Sequence, residues 1–403
     1  MKRMKQPNAR ELAILCMMEV EDKQVLVSQA FQDLAVVLKS DDLRLAHEIA
    51  YGTFRYLSSI DEQLKLYCRK PLQKLPAFVR WALRSGLYQL ARLRAPDYAV
   101  INSLVQSTQR SGLAGLKGMV NAILRKCQKD VPNTILNVGV LPAWFKARMQ
   151  EAYGQEFLDR WEQDMLEVPV RSYWSLEEEE PGIGSILPHS RQGEPNFNKR
   201  HYAQNESAQA IVEAICRSRL KTVLDYCAAP GGKSLYLCAF GSFDRLQACD
   251  VSTARLETMK QNMARLNLQV PVCDVSQMDP KSEFGLVLVD APCSALGIVA
   301  RHPEIGFLRP AAPTKDHFQT QKDILNQAWK YVRKGGYLFY VVCSPDPKEW
   351  PEPPEHSIDA TTDLKTWMPD GVPVQYEDKG GFVIQPGTRF DGFSGYLIQK
   401  KIT

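Results

Sequence analysis

Leu224-Asp225-Tyr226-Cys227-Ala228-Ala229-Pro230-Gly231-Gly232-Lys233-Ser234 follows the apolar pair Thr222-Val223 and leads into a segment of helical spacing. A buried strand that closes on an acid, passes through a small glycine-containing turn and enters a helix brings backbone N–H groups close to a ligand. The helix N-terminus favours an anionic group there. Nineteen residues after Gly231 a second strand ends at Asp250, residues 270–273 lead to Asp274, and residues 284–289 lead to Asp290. From about residue 200 onward strands and helices alternate, which predicts a parallel α/β sheet. Four acids at four successive strand ends then line its carboxyl edge, where open α/β sheets bind ligands. Any one strand-end aspartate is more often a turn former, but four in succession are poorly explained that way.

The turn is not G-x-G-x-x-G, so a nicotinamide-dependent oxidoreductase is disfavoured. An acid at the second strand end can accept hydrogen bonds from ribose hydroxyls. A nucleoside with one ribose and a charged amino-acid tail, such as S-adenosylmethionine, fits the pattern better. Asp290-Ala291-Pro292-Cys293-Ser294-Ala295-Leu296-Gly297 and Tyr340-Val341-Val342-Cys343-Ser344-Pro345 each place a cysteine just beyond a buried strand on that same edge. One strand-end cysteine is usually a core thiol; two facing one nucleoside site suggest chemistry. The ten cysteines include no C-x-x-C pair and no Cys/His cluster of zinc spacing, so neither a disulfide framework nor a metal site is expected.

With 403 residues, 44% apolar and 24% charged, the chain is long enough for two or three globular domains and is not of disordered composition. No apolar run approaches a membrane span. The stretch 12–18 is bracketed by Glu11 and Glu19, unlike a signal peptide, so a cytoplasmic protein is expected. Charge is unevenly divided. Residues 1–130 carry 21 Lys+Arg against 12 Asp+Glu, a net of +9, and the remainder 29 against 34, a net of −5. The first segment reads as helical, with Val79, Leu83, Leu87 and Leu90 at helical spacing and Arg80 and Arg84 off that stripe. A basic helical module suggests phosphate contacts, with Arg80, Arg84, Arg92 and Arg94 as candidates. Residues 131–200 read as a connector with one amphipathic helix (142–165) and an acidic run, Glu177 to Glu180, taken as a solvated surface. A helix over 316–333 is expected to stop at Gly335-Gly336 before the strand 337–342, and the tail reads as two strands around Pro386-Gly387.

AAPGGK (228–233), DAPCSALG (290–297) and VCS (342–344) resemble the motifs of RNA cytosine-5 methyltransferases of the NOL1/NOP2/Sun family, especially its bacterial 16S rRNA branch of the Fmu/Sun type. DDLRLAHEIAYGTFRY (41–56), KLPAFVRWALRSGLYQLARL (74–93) and GMVNAILRKC (118–127) are similar to the NusB-like domain of its members; HYAQNESAQ (201–209) and RFDGFSGYLIQKK (389–401) extend the likeness.

The resemblance implies an all-α NusB-like N-terminal domain (1–130) that binds RNA, a connector (131–200) and an α/β Rossmann-like class I S-adenosylmethionine-dependent methyltransferase domain (201–403). It implies Cys343 as the attacking thiol, Cys293 as the group assisting release and Asp290 as a hydrogen-bonding partner of the cytosine. Cofactor contacts would come from Cys227, Ala228, Ala229, Pro230, Gly231, Gly232, Lys233, Asp250, Asp274 and Asp290. The substrate would be unpaired RNA, 16S rRNA for this branch, acted on by a monomer without protein or membrane partners.

Four departures stand out: Val342 before Cys343 where Thr is usual, Lys348-Glu349-Trp350 where Glu-Glu-Asn is usual, Ala300-Arg301 in place of an arginine pair, and a Pro-rich stretch, 351–373, without a recognisable helix. They raise an alternative: a catalytically impaired RNA-binding or ribosome-assembly factor of the same fold.

Overall fold

The computed structural model describes residues 7–36, 38–130, 139–177, 187–197, 199–377 and 380–402. These form two compact units, Met1–Ala143 with Val299–Ala311, and Trp144–Ile298 with Ala312–Thr403. Most of the acidic run lies outside the described residues. No helix among the described residues is long and apolar enough to cross a membrane.

The first unit is helical: α1 (Ala9–Lys23), α2 (Val27–Leu34), α3 (Ser40–Arg55), α4 (Leu57–Lys65), α5 (Ala77–Arg92), α6 (Asp97–Arg110) and α7 (Lys117–Asp130). α1 starts in a capping box, in which Asn8 Oδ1 accepts the Glu11 N–H and Glu11 Oε2 accepts the Asn8 N–H. α5 buries its expected stripe, Val79, Leu83, Leu87 and Leu90, and also Phe78, Trp81, Ala82 and Tyr88. A helix apolar on all sides belongs in the interior. Arg84 therefore leaves the stripe without reaching solvent and Arg80 reaches it only slightly, both committed to carboxylates, which corrects their expected part in phosphate binding. Arg84, 4% exposed, donates to both carboxylate oxygens of Asp61 at 2.7 and 2.6 Å, and Arg80 donates to Glu21 and the Leu75 carbonyl. Their charges cross-link helices.

Compactness divides the chain differently from the expected cuts at 130 and 200. Residues 299–311, far along in sequence, complete the core of the first unit. They carry a short helix (Glu304–Leu308). Buried Glu304 accepts the Val27 N–H at 3.1 Å, capping α2, whose own N-cap Leu26 has no side-chain acceptor. The Phe307 ring lies 5.6 Å from Phe54 and 5.7 Å from Trp81, and Leu308 joins the same core. At Gly306 a Cβ would stand 1.7 Å from the Val140 carbonyl oxygen, so the close approach needs glycine.

The second unit opens with α8 (Ala143–Asp164), the amphipathic helix of the connector, broken at Gly154. A small antiparallel sheet follows, order β2-β1-β3, from β1 (Ser172–Ser175), β2 (Ser190–Gln192) and β3 (His201–Ala203). Then come α9 (Glu206–Arg217), β4 (Thr222–Asp225), α10 (Gly232–Phe240), β5 (Arg245–Asp250), α11 (Thr253–Leu266), β6 (Val272–Asp274) and β7 (Phe284–Asp290). Counting the short helix of the first unit as α12, the chain continues through α13 (Lys315–Trp329), β8 (Val332–Val342), β9 (Ser357–Asp359), α14 (Thr361–Trp367), β10 (Val374–Tyr376), β11 (Phe382–Ile384) and β12 (Phe393–Lys400).

The large sheet runs β10-β11-β12-β8-β7-β4-β5-β6, with β9 against β12. Its five strands β6, β5, β4, β7 and β8 are parallel, and β12 runs antiparallel to β8. Chain order reverses between β4 and β7, the switch point at which such sheets open a crevice. Two sequence expectations are corrected. β8 begins at Val332 and carries Gly335-Gly336 within it. Its pairing with β7 jumps from Phe284↔Val332 to Leu286↔Tyr337, and Gly335, at φ +72°, makes that bulge. Residues 351–373 do contain a helix, α14, a single short span whose apolar face is Leu364.

Candidate active site

β4 delivers Asp225 to the crevice wholly buried, where Ser234 Oγ, from the first turn of α10, donates to its Oδ2 at 2.6 Å. Its Oδ1 is buried with no hydrogen-bond partner among the described residues. Burial pushes the Asp225 carboxyl up to about 7, against the Ser234 hydrogen bond and the nearby Lys233 charge, which lower it. The turn from Cys227 to Gly231 is pinned from the neighbouring strand: the Ala228 N–H donates to the Cys249 carbonyl at 3.0 Å and the Ala229 N–H to Asp250 Oδ2 at 3.1 Å. Gly231 sits at φ +107° and caps α10 without a side chain, leaving its first-turn N–H groups to the crevice. A Cβ at Gly231 would meet Met259 at 2.6 Å, and one at Gly232 would meet Tyr202 at 3.0 Å.

The four strand-end acids share one edge but differ in what they do. Asp250, 2% exposed, accepts from the Ala229 and Ser252 N–H groups and from Arg255, so it shapes the turn as well as facing the crevice. Asp274 accepts the Ser276 N–H and hydroxyl, which pull its pKa down; it is the turn former of the set. Asp290 Oδ2 receives the Lys233 ammonium at 2.5 Å. Burial alone would lower the Lys233 pKa, but Asp290, Asp225 and Cys343 outweigh it and the net shift is upward. An orphaned carboxylate oxygen, a side-chain-free cradle and a fixed ammonium suit a nucleoside with a charged amino-acid tail. No group of three or more His, Cys, Asp or Glu among the described residues could hold a metal ion.

The loops after β7 and β8 bring Cys293 and Cys343 together, with their sulfurs 3.2 Å apart. This follows from register: Asp290 pairs with Val341 on parallel neighbours, so both loops leave the sheet at one height. Two adjacent thiols cannot both ionise easily. The hydrogen bond to Cys343 raises the Cys293 thiol, and burial and Glu349 raise it further. Cys293 therefore holds its proton more firmly than an isolated thiol.

Residues outside the three central motifs hold these loops. Arg148 on α8 pairs with buried Asp346 at 2.6 Å, and the Tyr153 hydroxyl donates to the Pro345 carbonyl at 2.7 Å, so the connector helix clamps the segment after Cys343. Phe393 of the DGF stretch lies under the Lys233 ammonium, 5.4 Å away. Buried Glu349, in the segment that departs from the family pattern, accepts from Ser294, Gln321 and His317. Aromatic spacing in α8 pointed to Tyr153 and the 389–401 likeness to Phe393; Glu349 stood in a segment noted only for departing from the family pattern, and Arg148 had no sequence signal.

A family model described as 16S rRNA methyltransferase RsmB/F matches residues 216–375, and a NusB family model matches residues 7–129. The chain is 27% identical over 411 residues to the ribosomal RNA small subunit methyltransferase B of Proteus mirabilis, covering 93% of this chain and 97% of that one. It is 28% identical over 376 residues to the protein of the same name from Photorhabdus laumondii, covering 85% and 88%. The crystal structure of PH0851 superimposes with a TM-score of 0.71 over 99% of this chain and 100% of that one at 18% identity, a likeness of fold.

Proposed function

We infer that this chain, which belongs to the RsmB/F family of 16S rRNA methyltransferases and carries a NusB domain at its N-terminus, methylates carbon 5 of a cytosine in small-subunit ribosomal RNA through a covalent adduct on Cys343. The observation that carries this reading is the meeting of the Cys293 and Cys343 sulfurs at 3.2 Å on the strand edge that also holds the Lys233–Asp290 pair. Carbon 5 of cytosine is a poor nucleophile. A thiolate added to carbon 6 removes the ring's aromaticity and makes carbon 5 enamine-like, splitting one hard step into easier ones. When bound, S-adenosylmethionine supplies an electrophilic methyl group.

Cys343, in the VCS motif, is the nucleophile by resemblance to the family, and the Lys233 ammonium places positive charge near its sulfur. Asp290, held by Lys233, faces the crevice from the end of β7 and hydrogen-bonds the amino/N3 edge of the base. Solvent water takes the carbon-5 proton, the C–H electron pair becomes the C5–C6 double bond as the C6–S bond breaks, and Cys343 leaves as the thiolate, received by a hydrogen bond from the Cys293 S–H beside it. The base must leave its stack to enter the crevice, so the substrate is unpaired RNA. Purified protein, labelled S-adenosylmethionine and unmodified small-subunit rRNA should give incorporation at one cytosine, mapped by bisulfite resistance. No incorporation would favour the alternative, an RNA-binding assembly factor. That alternative drew on the altered segment after Cys343, yet Glu349 of that segment sits at the centre of the loop contacts.

Asp225 makes cofactor binding pH-dependent. Below about 7 its buried carboxyl holds a proton, and a cationic tail beside Oδ1 favours the ionised form. Affinity for S-adenosylmethionine should therefore weaken as pH falls below 7, by up to about tenfold per pH unit. Asp225→Asn should flatten that dependence in calorimetric titrations; a profile unchanged in the variant would remove Asp225 from the tail's site.

Phosphate contacts fall to the cations that remain exposed on the helical unit, which include Arg92 and Arg94 of the expected four. Lys65, Arg69, Lys70 and Lys74 follow one another around the end of α4, and the first three line a pocket of about 360 Å³. Replacing all four by Gln should make the log–log salt slope of RNA binding less steep by about three, with cofactor affinity untouched. An unchanged slope would send the phosphate contacts elsewhere.

A further inference from the structure

We propose that Glu349 is a positioning residue that holds the Cys293 loop against Cys343 and is needed to release the methylated base rather than to methylate it. This rests on the adduct chemistry inferred above. Glu349 ends a single turn, Pro347–Glu349, and its side chain is completely buried. Its Oε2 accepts the Ser294 N–H at 2.9 Å, Gln321 Nε2 at 3.2 Å and His317 Nε2 at 3.3 Å; its Oε1 accepts the Ser294 hydroxyl at 2.6 Å. Its own carbonyl accepts the Tyr340 hydroxyl of β8 at 3.0 Å. Burial pushes this carboxyl up, and the hydrogen bonds from His317, Ser294 and Ser344 more than reverse that, so it stays ionised.

A buried charge is retained at a desolvation cost that an apolar residue would avoid, so its bonds point to a requirement for geometry. What they fix is the residue on either side of Cys293. Ser294 is held directly. Pro292 is held through its carbonyl by the same Gln321 amide that reaches Glu349, at 2.9 Å. Ser294 Oγ also meets Ser344 Oγ at 3.2 Å, joining the residue after one cysteine to the residue after the other. Glu349 makes no hydrogen bond to Cys343, Lys233 or Asp290. Cys343 is carried by β8 itself, and its carbonyl accepts the Gly297 N–H at 3.0 Å. Glu349 touches the Cys343 side only through the Ser344 hydroxyl, so removing it loosens the Cys293 loop, held at both of its neighbours, more than it disturbs the strand-borne nucleophile.

The test compares Glu349→Ala, Glu349→Gln and Gln321→Ala with Cys293→Ala in the full chain. In Glu349→Ala we expect single-turnover methyl transfer within about threefold of wild type, while kcat falls about 10- to 100-fold and a denaturant-stable protein–RNA complex accumulates. Glu349→Gln can still accept from Ser294 N, Gln321 and His317 and donate to the Ser294 hydroxyl, so release should recover to within about threefold. Gln321→Ala, which keeps the carboxylate, should show the same accumulation in weaker form and covers the case in which Glu349→Ala does not fold. A second measurement needs no RNA: iodoacetamide labelling of Cys293 relative to Cys343, mapped by peptide, should rise about fivefold or more in Glu349→Ala and Gln321→Ala. Equal losses of single-turnover rate and kcat without trapped complex, or an unchanged labelling ratio, would overturn the proposal. Should Cys293→Ala trap nothing and wild type not methylate, the adduct chemistry fails instead, and the labelling ratio still decides whether Glu349 holds the loop.

Discussion

Replacing Cys343 by Ala is expected to lower rRNA methylation by about three orders of magnitude or more and to eliminate any covalent protein–RNA complex. The variant still binds cofactor and RNA, because the cradle of Gly231 and Gly232, the Asp225 carboxyl and the Lys233–Asp290 pair do not depend on the thiol. Under the proposed mechanism it loses the step that makes carbon 5 nucleophilic, so proximity to the donor is all that remains. Cys293→Ala gives the opposite signature. Attack and methyl transfer proceed, turnover stalls, and the RNA stays attached through a denaturing gel. The two sulfurs are chemically alike and 3.2 Å apart, so the opposed outcomes would follow from the different roles proposed for them. Both cysteines are partly exposed, so each variant should unfold within about 1 kcal/mol of wild type, and a loss of activity is not a loss of fold. Wild-type methylation in Cys343→Ala would dismiss the nucleophile.

Much of this edge is readable in the sequence because it is local. The strand, small turn and helix around Gly231 occupy consecutive residues, the acids and Cys343 sit one position beyond apolar runs whose ends are visible, and Cys293 follows three residues after Asp290. Parallel pairing then brings separate strand ends to one height without further information. The supports are not local. Glu349 meets Ser294 across 55 residues, Arg148 meets Asp346 across 198, and Glu304 caps α2 across 277. Nothing in a carboxylate's neighbours along the chain reveals that it will be buried. The arginines of α5 failed for a related reason. Leaving an apolar stripe means solvent only when the rest of the helix surface is exposed, and on α5 Trp81, Tyr88 and Phe78 bury that surface too. Gly335-Gly336 reads as a helix stop because a pair of glycines usually ends a helix; here one supplies the positive φ of a bulge inside β8.

The second large effect is expected at Gly297, which lies four residues after Cys293 and carries no reactive group. Its N–H donates to the Cys343 carbonyl at 3.0 Å, and its own carbonyl accepts the Gly392 N–H at 2.9 Å. It is thus the backbone stitch between the Cys293 loop, the Cys343 loop and the DGF stretch that supplies Phe393. A Cβ there would stand 1.8 Å from the Gly392 carbonyl oxygen and 2.9 Å from that of Cys343. Both obstacles are backbone, so a rotamer change cannot relieve them and one of the three segments has to move. Gly297→Ala should cost about 2–4 kcal/mol in thermal or denaturant unfolding and lower kcat by about 100-fold through a displacement near 1 Å at the thiols. Chemically the same change at Gly118, in α7 with open space around its Cα, should instead stabilise the protein by about 0.5–1 kcal/mol by restricting the unfolded chain. Opposite signs for one added methyl group separate steric exclusion from glycine's entropy, since only the first depends on what surrounds the site. A Gly297→Ala protein of wild-type stability and kcat would mean that the three segments are not held as tightly as these bonds require, and the 3.2 Å approach of the sulfurs would lose its anchor.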